Sequence, residues 1–271
     1  MYTNYNSFRK KDSGAIIVKN SPRFIPLDST HFFFTTPPQP CPYFTDRDEK
    51  RVVTELVGEE SQVLHDQLTR NGFRRSHGTA YAQACSNCDR CISIRVRARE
   101  FTCSRSQRRV AKRNQGLTVK EVSAIADEEQ YKLFKAYQSS RHTGGDMENM
   151  VFSDYKSLLE ENSIDTSLIE FRQNGRLVSC VIIDKISDGF SAVYSFFDAE
   201  FDSRRSLGTF MILWLINHAK ALNLDYVYLG FWINKCQKMS YKKKFKPFDY
   251  FWSGNWVPHE KIDDHKEFFN S

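Results

Sequence analysis

The sequence of 271 residues contains no long apolar run. A helix that crosses a bilayer needs about 20 mainly apolar residues, and no stretch approaches that length. Near the start of the chain, the basic residues are followed only by Ala15-Ile16-Ile17-Val18, which is too short for the apolar segment of a signal peptide. We therefore predict a cytoplasmic protein with no membrane partner.

The chain also lacks an even number of cysteines, since it contains seven. Without an export signal, an odd number favours free thiols or metal ligands over a disulfide framework. Cys85, Cys88 and Cys91 are equally spaced, and Cys41 lies among prolines and could join them. Four thiolates suit a zinc ion or an iron–sulfur cluster, although this spacing differs from the paired cysteines of a zinc ribbon. A metal site and a group of small buried cysteines both remain open.

Acidic residues are missing from a predicted helix that follows these cysteines. Ser104 is a suitable N-cap, and the basic residues after it share one helical face. They are Arg105, Arg108, Arg109, Lys112 and Arg113. A solvated helix face normally interleaves acids with bases, whereas cations that repel one another are expected where a polyanion binds. The pattern favours a surface that binds nucleic-acid phosphate.

The predicted elements indicate an α+β protein. Helices are predicted over residues 46–57, 61–71, 104–114, 128–140, 153–161 and about 206–222. Strands are predicted over residues 31–34, 92–97, 168–172, 177–185, 190–197 and 226–230. Three consecutive strands joined by tight turns, then a helix and a further strand, follow the central order of the GNAT acyltransferase fold, which the second half of the chain therefore resembles.

Four segments are predicted from these patterns. They are a flexible extension over residues 1–30, a smaller cysteine-containing basic α/β domain over 31–118, a GNAT-like domain over 119–250 and a tail over 251–271. In GNAT enzymes, the turn before the central helix binds the pyrophosphate of acetyl-coenzyme A. Here that turn contains Arg205 and Gly208, but Phe210 replaces a small residue, which argues against coenzyme A and for an acyl group carried on RNA.

Several ordered stretches resemble the arginyl-tRNA–protein transferase family, and within it the bacterial aspartate/glutamate leucyltransferases. They are Cys41-Pro42-Tyr43, Gly72 to Ser76, Ala84 to Cys91, Ser104 to Arg109, Tyr194 to Asp198, Arg204 to Phe210, Tyr228 to Ile233 and Lys238 to Lys242. The resemblance implies transfer of leucine from leucyl-tRNA to the N-terminal amine of proteins that begin with Asp or Glu, which marks them for degradation. It also implies a metal or cluster at the cysteines, as in related eukaryotic transferases, while the chemistry itself requires no cofactor.

Aminolysis of an aminoacyl ester depends mainly on positioning and on stabilising an oxyanion. Our candidates for this chemistry are Tyr194, Ser195, Asp198 and Tyr228. We expect an oxyanion donor near a bulge in the strand that holds Tyr194, a proton acceptor in Asp198, and a hydroxyl relay in Tyr194 or Tyr228. The alternatives are core packing for the aromatic residues and a turn-stabilising role for Asp198.

Substrate contacts are predicted in two groups. The tRNA contacts are Arg105, Arg108, Arg109, Lys112, Arg113, Lys242 and Lys243. The acceptor and donor contacts are Arg204, Arg205, Gly208, Trp232, Lys238 and Met239, with Arg204 or Arg205 favoured for the acceptor carboxylate. The expected partners are leucyl-tRNA and proteins with N-terminal Asp or Glu, and DNA is not expected.

Other functions remain open on the sequence alone. Arginine could replace leucine as the transferred residue, because the same cations would bind either tRNA. A non-catalytic RNA-binding protein would show the same basic helix and cysteines. An acetyl-coenzyme A acetyltransferase would share the fold, but Phe210 in the turn argues against it.

Overall fold

A computed structural model describes residues 30–161 and 163–262. The α-helices of this part of the chain are α1 Ser61–Arg70, α2 Arg105–Arg113, α3 Glu128–Arg141, α4 Phe152–Glu160, α5 Leu207–Ala221 and α6 His259–Ile262. Its strands are β1 Phe34–Thr35, β2 Gln39–Pro40, β3 Asp48–Glu49, β4 Arg51–Glu55, β5 Arg74–Ser76, β6 Thr79–Gln83, β7 Cys91–Arg97, β8 Thr118–Ser123, β9 Thr166–Gln173, β10 Arg176–Ile186, β11 Gly189–Phe197, β12 Tyr226–Ile233, β13 Phe248–Trp252 and β14 Asn255–Pro258. Short 3₁₀ helices span Asp146–Asn149, Ser203–Arg205 and Gln237–Lys244.

A large mixed sheet forms the centre of the molecule. Its eight strands lie in the order β14-β13-β7-β12-β11-β10-β9-β8, and a four-stranded sheet, β1-β4-β6-β5, lies beside it. Within the large sheet, β11 and β12 pair in parallel, because α5 carries the chain back between them. The predicted α+β class and the predicted order of strands and helix are confirmed.

Local sequence explains the main elements. Asn174 and Gly175 adopt positive φ angles of 50° and 84°, which the tight turn between β9 and β10 requires. Ser104 and Asp127 each accept a hydrogen bond from the amide three residues later, in capping boxes that begin α2 and α3. Each helix therefore begins where its capping residue lies.

Both faces of the large sheet are buried. One face packs against α5, with Val181, Ile183 and Leu213 in the shared core. The opposite face packs against α3 and α4, with Phe134, Tyr155 and other side chains of a second core. The four-stranded sheet and α1 enclose a smaller core around Leu56 and Leu64 and contact the large sheet beside α3 and α4.

A buried ion pair joins the two sheets. Arg75 on β5 donates to both carboxylate oxygens of Asp184 on β10, at 2.7 and 2.8 Å. Nε2 of His65 lies 3.0 Å from the same carboxylate, and Thr166 donates to it. Burial alone would raise the pKa of Asp184, but the charge of Arg75 and the contacts of Arg75 and His65 outweigh burial and lower it to about 2. Asp184 therefore stays ionised at neutral pH.

The first half of the chain differs from the sequence prediction. The predicted helix over residues 46–57 is wrong: this segment forms β3 and β4, because β-branched Val52, Val53 and Thr54 pair with β6. The predicted strand over 31–34 is reduced to β1, and Phe32 to Phe34 are exposed. The predicted extension lies outside the described residues except for Thr30.

The large sheet also crosses the predicted segment boundaries. β7 lies between β12 and β13, so a strand from the predicted first domain is central to the sheet of the second. β14 and the end of β13 come from the predicted tail. In the described residues, no helix is long and apolar enough to cross a membrane.

Candidate active site and basic surface

The candidate active site begins where β11 and β12 separate. The two strands pair only from Gly189 to Ser191 and from Tyr226 to Tyr228. Beyond these residues each strand contains a bulge, at Val193 on β11 and at Leu229 on β12. Because β-bulges bend strands and leave backbone groups unpaired, the strands diverge and open a gap towards their C-terminal ends. The bulge expected near Tyr194 is thus present.

Arg74 fills this gap from β5. Its Nη2 donates to the carbonyl oxygens of Ala192 and Val193 at 3.3 and 2.9 Å, and its Nη1 donates to that of Leu229 at 3.2 Å. Gly230 has a φ of 69°, and a Cβ at this position would overlap the guanidinium. The guanidinium therefore replaces the missing ladder hydrogen bonds between the diverging strands, and only glycine leaves room for it.

Tyr194 lies directly after the bulge, with its hydroxyl held by α3. Nε2 of Gln138 donates to the Tyr194 hydroxyl at 2.7 Å. Since the hydroxyl accepts this bond, its own proton is available for donation. Burial raises the pKa of Tyr194, so the proton is retained at neutral pH. The other side-chain polar atom of Gln138, Oε1, is buried without a hydrogen-bond partner among the described residues.

Further aromatic and basic side chains surround this position. The Tyr137 ring lies 5.4 Å from the His142 ring and 4.9 Å from the Phe197 ring. Burial, and then the charges of Lys238 and Arg141, lower the pKa of His142, which is therefore neutral at pH 7. A neutral imidazole can accept a proton.

Two predicted catalytic residues are occupied elsewhere. One carboxylate oxygen of Asp198 accepts from the amides of Glu200 and Phe201, and the other accepts from Arg176. Asp198 thus stabilises a turn, as the alternative interpretation of the sequence expected, and both of its carboxylate oxygens already have partners. Tyr228 is buried at the paired end of β12, away from the gap, and its hydroxyl donates to Asp188 and accepts from Arg95. Ser195, in contrast, is half-buried on β11 beside the gap.

The structure brings the predicted basic helix and the predicted turn together. Nη1 of Arg113 donates to the carbonyl oxygen of Arg204 at 2.8 Å, and Asn114 donates to that of Arg205 at the same distance. All five cations of α2 are exposed, and no described acidic residue pairs with them. These side chains and the 3₁₀ helix Ser203–Arg205 form one surface, which we call the basic surface.

The turn itself differs in two respects from its sequence interpretation. Asp202 accepts from Nε and Nη2 of Arg204, and Arg205 donates to Gln173, so neither arginine is without a partner. Phe210 points into the core against Phe171, and the argument that it crowds the turn is therefore wrong. Gly208 lies beside Phe197, at the open end of the gap.

The lysine-rich segment after β12 contains both exposed and buried residues. Lys242, a predicted tRNA contact, is 5% exposed and donates to the carbonyl oxygen of Phe231, so it lies within the fold and not on the exposed surface that a tRNA backbone would contact. Trp232, predicted to line the donor pocket, is 4% exposed and packs in the core. Lys243 lies over the Trp232 ring at 4.9 Å, Lys238 is exposed, and Met239 is half-buried against the core.

The predicted metal cysteines line one cavity of about 50 Å³. They are Cys41, Cys85, Cys88 and Cys91. Burial, and then the nearby sulfur atoms of the other three, raise the pKa of Cys91 to about 12. The backbone amide of Lys50 donates to Sγ of Cys85 at 3.4 Å. The donor set therefore fits a thiophilic metal, although the side chains of the described residues do not adopt the arrangement of a formed metal centre.

The sequence analysis assigned no site role to Arg74 or Gln138. It assigned Lys242 to tRNA binding and did not identify it as a buried cation. Arg74 lies within one of the stretches that carry the family resemblance, which was the available signal. Its distance of 155 residues from Leu229 along the chain gave no indication of their contact. Gln138 occupies a regular helix, where a glutamine is unremarkable.

Comparison with known proteins identifies related sequences. Residues 39–109 match the family model "Arginine-tRNA-protein transferase, N terminus", and residues 129–251 match the C-terminal model of the same family. A protein of Paramagnetospirillum magneticum named aspartate/glutamate leucyltransferase is 50% identical over 232 residues, 85% of this chain and 95% of that protein. A protein of the same name from Rhodospirillum rubrum is 47% identical, over 86% of this chain and 95% of that protein.

Solved structures show a more distant likeness. The crystal structure of FemX matches with a TM-score of 0.46 and 10% identity, covering 70% of this chain and 66% of that one. The C-terminal domain of a putative lysylphosphatidylglycerol synthetase from Agrobacterium fabrum matches with a TM-score of 0.44 and 15% identity, covering 62% of this chain and 58% of that domain.

The close fit between Gly230 and Arg74 gives a stability prediction. Gly230→Ala adds left-handed strain and an overlap with the guanidinium, and we expect it to lower the free energy of unfolding by about 3 kcal/mol. The matched control is Gly58→Ala: Gly58 has a φ of 82°, but a Cβ added there would meet no atom within 4 Å. This control should cost about 1 kcal/mol. Urea unfolding measures both.

The double variant Arg74→Ala/Gly230→Ala separates overlap from strain. If the guanidinium causes the excess loss, the double variant should lose clearly less than the sum of the two single variants. Equal losses for Gly230→Ala and Gly58→Ala would contradict the proposed fit.

Proposed function

The chain belongs to the arginine-tRNA–protein transferase family, and we propose that it transfers leucine from leucyl-tRNA to the α-amino group of proteins that begin with Asp or Glu. The resemblance to this family seen in the sequence is confirmed, and the protein is an aminoacyltransferase. Relatives named aspartate/glutamate leucyltransferase favour leucine over arginine as the transferred residue. The single observation that carries the proposal is the 50% identity over 85% of the chain.

The reaction is the aminolysis of an ester. The acceptor's amine attacks the ester carbonyl of the aminoacyl-tRNA, a C–N bond forms, and a negative charge develops on the carbonyl oxygen. The C–O bond to the tRNA ribose then breaks, the amine gives up a proton, and the ribose oxygen receives one. Since the ester is already activated, the protein needs to position both substrates, stabilise the oxyanion and move these protons.

We assign these tasks to the gap between β11 and β12. Backbone amides on the unpaired edge of β11, next to the Val193 bulge, supply the oxyanion donor, and Ser195 lies beside them. Tyr194, held by Gln138, donates a proton to the departing ribose oxygen. Neutral His142 accepts the proton of the amine. Gly208 and the N-terminal end of α5 lie at the open end of the same gap, where the donor enters.

The basic surface binds the tRNA. Its exposed cations on α2 have no acidic partner in the described chain, so phosphate groups provide their counter-charge. It adjoins the N-terminal end of α5, because α2 packs on α5 and on the 3₁₀ helix Ser203–Arg205. A tRNA held there would present its acylated end to the gap. The 3₁₀ helix that contains Lys238 and Lys243 also meets α2, because Gln107 donates to the carbonyl oxygen of Lys244.

Peptide modification tests the proposed activity directly. Peptides that begin with Asp, Glu, Asn or Ala are incubated with the protein, tRNA, ATP and a purified leucyl- or arginyl-tRNA synthetase with its amino acid. Mass spectrometry should show a leucine-sized gain on the Asp and Glu peptides alone. A gain of the mass of arginine instead would show that arginyl-tRNA is the donor. No gain from either tRNA, with both verified as charged, would refute the transferase activity.

A charge-removal variant tests the basic surface. Replacing Arg105, Arg108 and Arg109 with Gln should weaken tRNA binding and reduce the slope of log K against log salt by roughly 2, because each lost phosphate contact removes about 0.7 to 0.9. The control replaces Lys120, Lys132 and Lys156, exposed lysines on β8, α3 and α4, with Gln. Fluorescence anisotropy at several salt concentrations measures both. An equal effect of the two variants would show that net charge, and not this surface, determines binding.

We also propose that the four-cysteine cavity holds a zinc ion or an iron–sulfur cluster. Four thiols on one small cavity, with a backbone amide donating to one sulfur, are a donor set that thiophilic metals prefer. Cys85, Cys88, Cys91 and Cys41 would hold the group. When bound, it would crosslink the loop after β2 to the connection between β6 and β7 and to the start of β7, which is a structural task.

Metal content provides the test. Native mass spectrometry of the purified protein should show one zinc ion or one cluster per chain, and visible absorption distinguishes the cluster from zinc. The variant Cys85→Ser/Cys88→Ser should lose the metal and unfold at a lower temperature. Cys103→Ser, a half-buried free thiol elsewhere, is the control and should retain the metal. A wild-type protein that carries neither group after anaerobic purification, with added zinc in one preparation and with added iron and sulfide in another, would refute the proposal.

A further inference from the structure

The gap between β11 and β12 contains an arginine with unused hydrogen-bond donors. A guanidinium carries five N–H groups, and Arg74 uses three of them on the carbonyl oxygens of Ala192, Val193 and Leu229. Its remaining N–H groups have no partner among the described residues. Arg74 is half-buried, so a small substrate group can approach it from the open end of the gap.

A second cation lies along the same strand edge. Nζ of Lys242 donates to the carbonyl oxygen of Phe231, two residues beyond Leu229 on β12. An ammonium group has three N–H donors, so two remain. At about 3.3 Å per strand residue, the carbonyl oxygens that hold the two cations are roughly 7 Å apart, so the two cations are neighbours along this edge.

These two cations have no counter-charge in the described chain. No acidic residue of the described ranges forms an ion pair with Arg74 or Lys242, although buried charges in proteins are normally paired. Burial, and then the charge of Arg74, lower the pKa of Lys242 well below its ordinary value. An anion between the two would remove this repulsion, and the unused N–H donors match the roughly four lone pairs that a carboxylate offers.

We propose that Arg74 and Lys242 together bind the side-chain carboxylate of the acceptor's N-terminal Asp or Glu. This inference rests on the proposed function and names the part of the same site that selects acidic acceptors. The carboxylate receptor lies against both bulges, so a bound N-terminal residue places its α-amine close to the unpaired edge of β11. Arg204 and Arg205, which the sequence favoured for this role, instead contact Asp202 and Gln173.

Lys242 is the more shielded of the two cations, and this explains how the receptor distinguishes Asp from Asn. An exposed cation attracts a carboxylate weakly, because water screens the charge. A cation shielded from water discriminates more strongly between Asp and Asn, because the neutral Asn side chain would leave its charge without a partner. Lys242, 5% exposed, is therefore suited to selection, while the exposed Lys238 is not.

The test compares acceptor preference across variants. The assay measures kcat/KM of leucyl transfer to two peptides that are identical except for an N-terminal Asp or Asn. Both peptides are amidated at the C-terminus, so that no terminal carboxylate competes with the Asp side chain. Lys242→Met should lower kcat/KM for the Asp peptide roughly 10- to 100-fold, the loss typical of one charged hydrogen-bond partner, and leave the low value for the Asn peptide unchanged. Arg74→Lys should reduce the same preference.

Two further variants separate selection from folding. Lys132→Met, at an exposed position on α3, is the matched control and should keep the Asp preference of the wild type. Lys242→Gln retains a hydrogen-bond donor without the charge, and it should lose the preference even if Lys242→Met does not fold. A purely structural role would lower kcat/KM for both peptides equally. An unchanged Asp-to-Asn ratio in the folded Lys242 and Arg74 variants would overturn the proposal.

Binding without tRNA distinguishes this inference from the proposed function. Isothermal titration of the wild-type protein with the two amidated peptides should show tighter binding of the Asp peptide, and Lys242→Gln should abolish the difference. If the wild type transferred no leucine but still preferred the Asp peptide in this way, the proposed activity would fail and the receptor would stand. If it transferred leucine but bound and used both peptides alike, the receptor would fail and the activity would stand.

Discussion

The ion pair between Arg75 and Asp184 fixes the geometry on which the candidate site depends. It attaches the four-stranded sheet to β10 of the large sheet, and Arg74, the neighbour of Arg75 on β5, thereby reaches the gap between β11 and β12. Removing one partner of a buried pair typically costs about 3 to 5 kcal/mol, because the other charge is left unpaired. Since the folded-state pKa of Asp184 is about 2, its contribution to stability is present above the ordinary pKa of an aspartate and is lost as pH falls through about 2.

The bulges and Arg74 depend on one another in turn. Two bulged strands that diverge leave backbone carbonyl oxygens without ladder partners, and buried carbonyl groups of this kind are destabilising. The Arg74 guanidinium satisfies the carbonyl oxygens of Ala192, Val193 and Leu229 from a different sheet. Gly230 permits the approach through its positive φ and its missing Cβ. The gap is therefore a built feature of the fold, held open by a charged side chain.

Elements with a local signal could be predicted from the sequence. The alternating strand over residues 92–97, the hairpin turn at Asn174-Gly175 and the capped basic helix α2 all form where expected, because each depends on nearby residues. The segment over residues 46–57 was wrongly predicted as helical, since its strand conformation depends on pairing with β6, whose residues lie about thirty positions further along the chain.

The candidate site was predicted less well, because its chemistry depends on distant partners. Asp198 and Tyr228 have suitable functional groups, but Arg176, Asp188 and backbone amides occupy them. Lys242 lies in a lysine-rich run that indicates a solvated surface, and only the three-dimensional structure buries it against β12. Arg74 lies in one of the sequence stretches that resemble the family, but its contacts with backbone carbonyl oxygens depend on the two bulges. No local sequence pattern predicts those bulges.

The protein holds its cations in two physical environments, and each suits a different anion. The side chains on α2 are exposed and have no acidic partner in the described chain, which suits an RNA backbone whose phosphates remain largely hydrated and whose binding depends on many weak contacts. Arg74 and Lys242 are held by backbone carbonyl oxygens in a shielded gap. There, fewer contacts act at a lower effective dielectric, so the presence or absence of one carboxylate has a large effect. In the proposed function, affinity for a large polyanion and selection of a single acidic side chain therefore fall to two separate sets of cations.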